Sequence, residues 1–117
     1  MTTQEVAQRL VELCRMGDYE TAHKELYSDD IKSYEPEGWG PRETVGIAAK
    51  LEKSKAWQDS VAEYHGSTMS DPIFATDSFA CASSADVTLK DGTRMNMIEL
   101  NVYTVKDGKI VREEFFA

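Results

Sequence analysis

Several side chains of this sequence sit where folding alone does not require them. Glu99 stands inside "MNMIELNVYTV", between Ile98 and Leu100. Two-residue alternation puts Glu99 on one strand face with Met95, Met97, Asn101 and Tyr103. Ile98, Leu100 and Val102 fall on the other face. That uniformly apolar set reads as a packed face, under helices or at an interface between two chains. The mixed set suits the wall of a ligand cavity. A carboxyl in such a wall is desolvated, so its pKa rises and it becomes an acid or base near neutral pH. A glutamate on the wet face of a sheet would give the same pattern.

Three other groups accompany it. His65 lies in "SVAEYHGSTM", on a predicted face with Val61, Glu63 and Met69. Imidazole titrates near neutrality and suits a proton shuttle. A histidine on a half-apolar face also serves simply as a structural residue. Lys50 interrupts an apolar helical stripe of Ile47, Leu51, Ser54 and Trp57. Its stem could cover the stripe while the ammonium reaches water. Glu35 closes a short predicted strand just before the loop, and an ion pair between Glu35 and Lys50 is expected. Trp57 is either core or a stacking wall, and Trp39, in a glycine-rich loop, is a lid or an interface anchor. His23 reads as structural. The candidate set is therefore Glu99 and His65 for catalysis, with Glu35, Lys50, Trp57, Tyr103, Asn101 and Met97 for ligand binding. No H-x-x-x-H or H-E-x-x-H spacing, Walker pattern or G-x-G-x-x-G occurs, so neither a metal nor another cofactor is expected.

Positioning these groups requires helices first and strands after. Val6, Leu10, Leu13 and Cys14 recur at helical spacing, with Gly17 as the stop. Asp18 caps a second predicted helix carrying Tyr19, Ala22, Leu26 and Tyr27. Ile31 to Glu35 forms a short strand before the Pro36–Pro41 loop, and a third helix is predicted from about Arg42 to Gln58. From Ser60 onward the period changes to two. "KDG" at Lys90–Gly92 and at Lys106–Gly108 marks hairpins. The expected domain is a single α+β unit over residues 1–117, with three helices packed on one face of an antiparallel meander. One ambiguity follows from the last hairpin. Closing with or without a bulge at Gly108 decides whether Glu113 or Glu114 shares the face of Glu99.

The bulk properties narrow the partners. The chain has 117 residues and a formal net charge of −8, which repels phosphate backbones and anionic membranes alike. No apolar run approaches the roughly 20 residues of a membrane span, and no signal-peptide pattern opens the chain. A cytoplasmic protein is expected. Cys14 and Cys81 belong to no C-x-x-C pair and read as small buried hydrophobes.

The ending "VYTVKDGKIVREEFF", after helices and long hairpins, resembles the SnoaL-like branch of the nuclear transport factor two-like superfamily. "IKSYEPEG", "VGIAAKLEKSKAWQDSVAEYHGS" and "MIELNVYTVKDGKIVREEFF" resemble one subgroup of it, through Glu35, Gly46, Lys50, Trp57, His65 and Glu99. The resemblance spans nearly the whole chain. It implies a cystatin-like cone, in which a strongly curved antiparallel sheet wraps against the three helices and leaves a cavity at its open end. It also implies a homodimer through the outer sheet face. Superfamily members include isomerases, dehydratases, cyclases, epoxide hydrolases and non-catalytic binding domains, so fold does not fix function. The catalytic patterns known there are absent: no aspartate follows Asp107, and none of the five arginines sits between spaced strand aspartates. Two functions are therefore expected as alternatives. One is a small-molecule-binding protein or a cofactor-independent enzyme of proton transfer. The other is a non-catalytic dimeric accessory module with a filled cone.

Overall fold

The computed structural model describes residues 1–117. Helix α1 (Thr3–Arg15) begins at a capping box, in which the Thr2 hydroxyl accepts from the Glu5 amide while the Glu5 carboxylate accepts from the Thr2 amide. Its stripe of Val6, Leu10 and Leu13 is buried. Asp18 caps α2 (Tyr19–Leu26) by accepting from the Thr21 amide. Strand β1 (Tyr27–Tyr34) follows directly, so Tyr27 opens a strand and does not end the helix as expected. Its extended backbone pairs it with Ile110.

The third helix also differs from expectation. Residues Glu43–Val45 form β2, and α3 (Ile47–Ser60) starts five residues later than the sequence pattern predicts. Gly46 is the cause: its φ of 92° cannot continue a helix, and its amide is bonded to the Ile31 carbonyl. The chain is therefore extended before Gly46 and helical after it.

Strands β3 (Val61–Met69), β4 (Ile73–Phe74), β5 (Ser78–Leu89), β6 (Arg94–Lys106) and β7 (Lys109–Phe116) complete the sheet. The order is β2-β1-β7-β6-β5-β3, with β4 paired to β5. The three helices lie against a curved, open sheet, giving an α+β fold. The sheet is mixed rather than wholly antiparallel, because β1 runs parallel to β7. A chain that passes through α3 and the whole meander before returning reaches β1 in the same direction. The core lies between α1, α2 and the β1–β7–β6–β5 part of the sheet, around Leu10, Leu13, Leu26, Ile31, Phe79, Val105 and Ile110. Phe79 stacks on Tyr103 at 4.8 Å.

The last hairpin settles the register. Asp107 and Gly108 form a two-residue turn, both at positive φ, and Lys106 pairs directly with Lys109. The bulge lies further along, at Val111, between the Val105–Ile110 and Thr104–Arg112 pairs. That one extra residue sets Glu113 opposite Tyr103, on the concave face, and Glu114 opposite Val102, on the convex one.

Gly108 has φ 74°, and a Cβ there would lie 3.0 Å from the Met1 nitrogen. Gly108→Ala is expected to destabilise the fold by about 1–2 kcal/mol, measurable as a lower urea midpoint at unchanged m-value.

Candidate functional site

The concave face of the sheet, the inner side of α3 and the ends of α1 and α2 enclose a cavity of about 840 Å³. Strand β6 supplies its floor through Met95, Met97, Glu99, Asn101 and Tyr103, the face alternation predicts. Helix α3 supplies a wall of Lys50, Lys53, Ser54 and Trp57. No residue of α3 is fully buried, because this helix covers a space rather than a packed core. Trp39 and Glu35 line the cavity from the loop side.

Glu113 is the most constrained polar group, at 1 % exposure. Its Oε2 accepts from the Tyr27 hydroxyl at 2.5 Å, and its Oε1 from the Ser33 hydroxyl at 2.9 Å. The Lys50 ammonium lies 2.7 Å from the same Oε1 and 5.1 Å from the centroid of the Phe115 ring. Burial pushes the Glu113 carboxyl up, but the Lys50 charge and the three donors outweigh it and hold the carboxyl below its usual range. Tyr27 stays protonated, raised well above the ordinary phenol value by burial and by the Glu113 charge. Lys50 thus turns inward, and the expected Glu35–Lys50 pair is replaced. Glu35 pairs with Lys53 at 2.8 Å, three residues and nearly one turn further along α3.

Glu99 behaves oppositely in the same cavity. Burial raises its pKa first, the Glu35 charge raises it further, and Lys50 only partly opposes them. Glu113 has hydrogen-bond donors for its charge; Glu99 has none. On β6, Asn101 donates through Nδ2 to the Ser83 hydroxyl at 3.0 Å. Cys14 also lines the cavity, with its thiol pushed up to about 12 by burial. Cys81 is buried.

Seven of the eight predicted site residues line this cavity: Glu99, Glu35, Lys50, Trp57, Tyr103, Asn101 and Met97. His65 does not. Register shifts between Val61 and Glu63 and between Tyr64 and Gly66 break the predicted alternation of β3. Tyr64, Ser67 and Met69 turn to the cavity instead. His65 shares a 2.6 Å hydrogen bond with Thr88 at the sheet edge, apart from Glu35 and Glu99. The cavity histidine is His23, buried edge-on against Tyr27 with ring centroids 4.7 Å apart. A signal for it existed: His23 lies four residues after Tyr19 and four before Tyr27, on one helical stripe. Ser33 and Tyr27 had a weaker signal, as hydroxyls two and four positions from the buried Ile31.

The SnoaL-like domain pattern matches residues 1–117. The chain belongs to the SnoaL-like domain family. A Mesorhizobium loti protein, named provisionally as a SnoaL-like polyketide cyclase and as a carbohydrate phosphatase, is 38% identical over 100% of both chains, with a TM-score of 0.93. An NTF2-like Burkholderia pseudomallei protein is 16% identical over 99% of this chain and 91% of its own, with a TM-score of 0.79. TerC, crystallised with polyporic acid, is 20% identical over 97% of this chain and 89% of its own, at a TM-score of 0.78. The last two show the fold alone. No curated protein matches this SnoaL-like chain. None of its helices is long and apolar enough to cross a membrane.

The Glu113–Lys50 pair yields a stability test. A carboxyl held below its unfolded value, about 4.3, stabilises the fold above that pH and loses the contribution as pH falls through its folded value. Glu113→Gln should cost about 3–5 kcal/mol at pH 7 by leaving a buried ammonium unpaired, and should flatten the acid limb of the stability curve. Lys50→Met added to it should recover most of the loss in chemical denaturation.

Proposed function

We propose that this SnoaL-like protein binds a small organic molecule in the cone and transfers a proton on it without a cofactor, with Glu99 as the acid–base group. The observation that carries this reading is a half-buried carboxyl of raised pKa on the floor of an 840 Å³ cavity, near a lysine held in place by a buried partner. A carboxyl shifted this way exchanges protons closer to neutral pH than an exposed glutamate does. Lys50 offers an ammonium to an oxygen that becomes negative during the reaction, and it is already oriented before substrate arrives. Isomerisation, dehydration or cyclisation of a carbonyl compound fits both groups. Met95, Met97, Trp57 and Phe115 provide apolar and aromatic surface for the rest of the molecule. The provisional name of the Mesorhizobium relative and the polyporic acid held by TerC are consistent with such ligands on this fold.

We further propose that two copies pair through the convex face. Ile98 and Leu100 are 66% and 55% exposed there, beside Val102, Phe116 and Ile73, and cross-strand pairing joins Leu100 to Phe116. An exposed apolar strip on a chain of net charge −8 favours covering by a like strip. We take the working compartment to be the cytoplasm, which suits the two unpaired thiols. The reading as a non-catalytic module required a filled cone, and the open cavity disfavours it.

The first test is an amide NMR titration with aromatic ketones such as 1-acetonaphthone. Shifts should concentrate at Trp57, Tyr64, Met97 and Glu99; their absence at millimolar ketone would remove the ligand-binding reading. Glu99→Gln should keep that binding and lose at least about a hundredfold of any turnover. The same change should raise the melting temperature at neutral pH. A carboxyl whose folded pKa is raised costs stability as pH rises from its unfolded to its folded value. Separately, Leu100→Lys should turn a dimer into a monomer in sedimentation analysis.

A further inference from the structure

The acid–base reading of Glu99 leaves one titratable group of the cavity unused. His23 lies on α2, more than nine-tenths buried, with its ring on the cavity wall. Packing rather than hydrogen bonding holds the ring, through the edge-on contact with Tyr27. Tyr27 of β1 touches the ring, Lys50 of α3 and Glu113 of β7 are the charges that act on it, and Cys14 of α1, Tyr19 of α2, and Glu99 and Tyr103 of β6 are ionisable groups lining the same cavity. Burial is the main effect that disfavours the charged ring, the Lys50 charge adds to it, and Glu113, committed to Lys50, Tyr27 and Ser33, only partly opposes them. The imidazole is held below its ordinary 6.5. At neutral pH it is an uncharged base.

We propose that His23 is the second proton-transfer group of this cavity, acting as a base from the helical wall while Glu99 acts as an acid from the sheet. The proposal rests on the cavity being a site of proton transfer. Two groups on different walls suit an elimination from a β-hydroxy carbonyl compound. The imidazole takes the proton next to the carbonyl, and the C–H electron pair forms the carbon–carbon double bond. The C–O bond breaks, and the departing hydroxyl takes the proton of Glu99 and leaves as water. The products are the unsaturated carbonyl compound, an imidazolium and a carboxylate, which are reset by proton exchange with solvent. Lys50 holds the carbonyl oxygen while charge develops on it.

The test uses 5-nitrobenzisoxazole, a flat aromatic probe opened by one base. Removal of its ring C–H proton forms a nitrile, breaks the N–O bond and releases a coloured phenolate. The wild-type protein is expected to open it with saturation, at a rate that rises with pH through the His23 titration measured by NMR. His23→Leu and His23→Gln should each lose about tenfold or more. Wild-type rates in both His23 variants would overturn the role of His23 and leave Glu99 standing. No acceleration by the wild-type protein, with no shift of cavity resonances, would overturn the proton-transfer reading and this proposal together. Unreactive 5-nitroindole gives a check on the wild-type chain itself. Its binding should move the His23 ring resonances, and stationary ones while other cavity residues shift would also overturn the proposal.

Discussion

A buried charge must be answered where it lies, and the rest of this cone is arranged around that requirement at Glu113. Its carboxylate is met by hydroxyls from both ends of β1 and by an ammonium from α3. Those partners come from positions 27, 33 and 50, so one side chain near the chain end ties together the parallel strand pair and the covering helix. An ion pair that close to the interior is tolerated only when every oxygen is satisfied, and here each oxygen has its partner. Any rearrangement of β1, β7 or α3 would strand a charge. The pair therefore specifies this packing more than it stabilises it.

The same constraint explains why the interior is open. Helix α3 has no fully buried side chain, and only Ile47 at its start packs against the apolar core, so little apolar packing holds the rest of it against the sheet. Lys50 on Glu113 and Lys53 on Glu35 do so, at two successive turns of the helix. A helix docked by two charged contacts can stand away from the sheet floor, whereas one docked by leucines would have to close on it. Trp57, Met95, Met97 and Phe115 are left with a free face each, and the cavity is their common boundary.

Within that boundary, chemically identical carboxyls acquire opposite properties. Glu113 has a cation and two hydroxyl donors and is held ionised. Glu99 lies on the neighbouring strand, with burial and another carboxylate beside it, and is pushed toward its neutral form. The difference lies in what each side chain finds opposite it. A fixed ion pair next to a mobile proton is what separates orientation of a ligand from chemistry on it, and the two tasks fall to different residues.

The amino-acid sequence by itself determined the local elements and most of the cavity floor. Strand β6 keeps strict alternation over thirteen residues, so the grouping of Met95, Met97, Glu99, Asn101 and Tyr103 followed from a period of two. Thr2, Asp18 and the turn at Asp107–Gly108 act within a few residues of themselves and are open to the same reading. The tertiary structure decided whatever depended on a bulge or on a partner distant in the chain. Val111 carries no mark of a bulge, yet its extra residue alone sends Glu113 inward and Glu114 outward. The shifts around Glu63 and Gly66 turn His65 away in the same manner. Lys50 could have met water, Glu35 or Glu113, and only the parallel return of β1 beside β7 brought the last within reach. Periodicity is a property of consecutive residues, while a bulge or an ion pair is settled by the free energy of the assembled sheet, and no short stretch of sequence contains that sum.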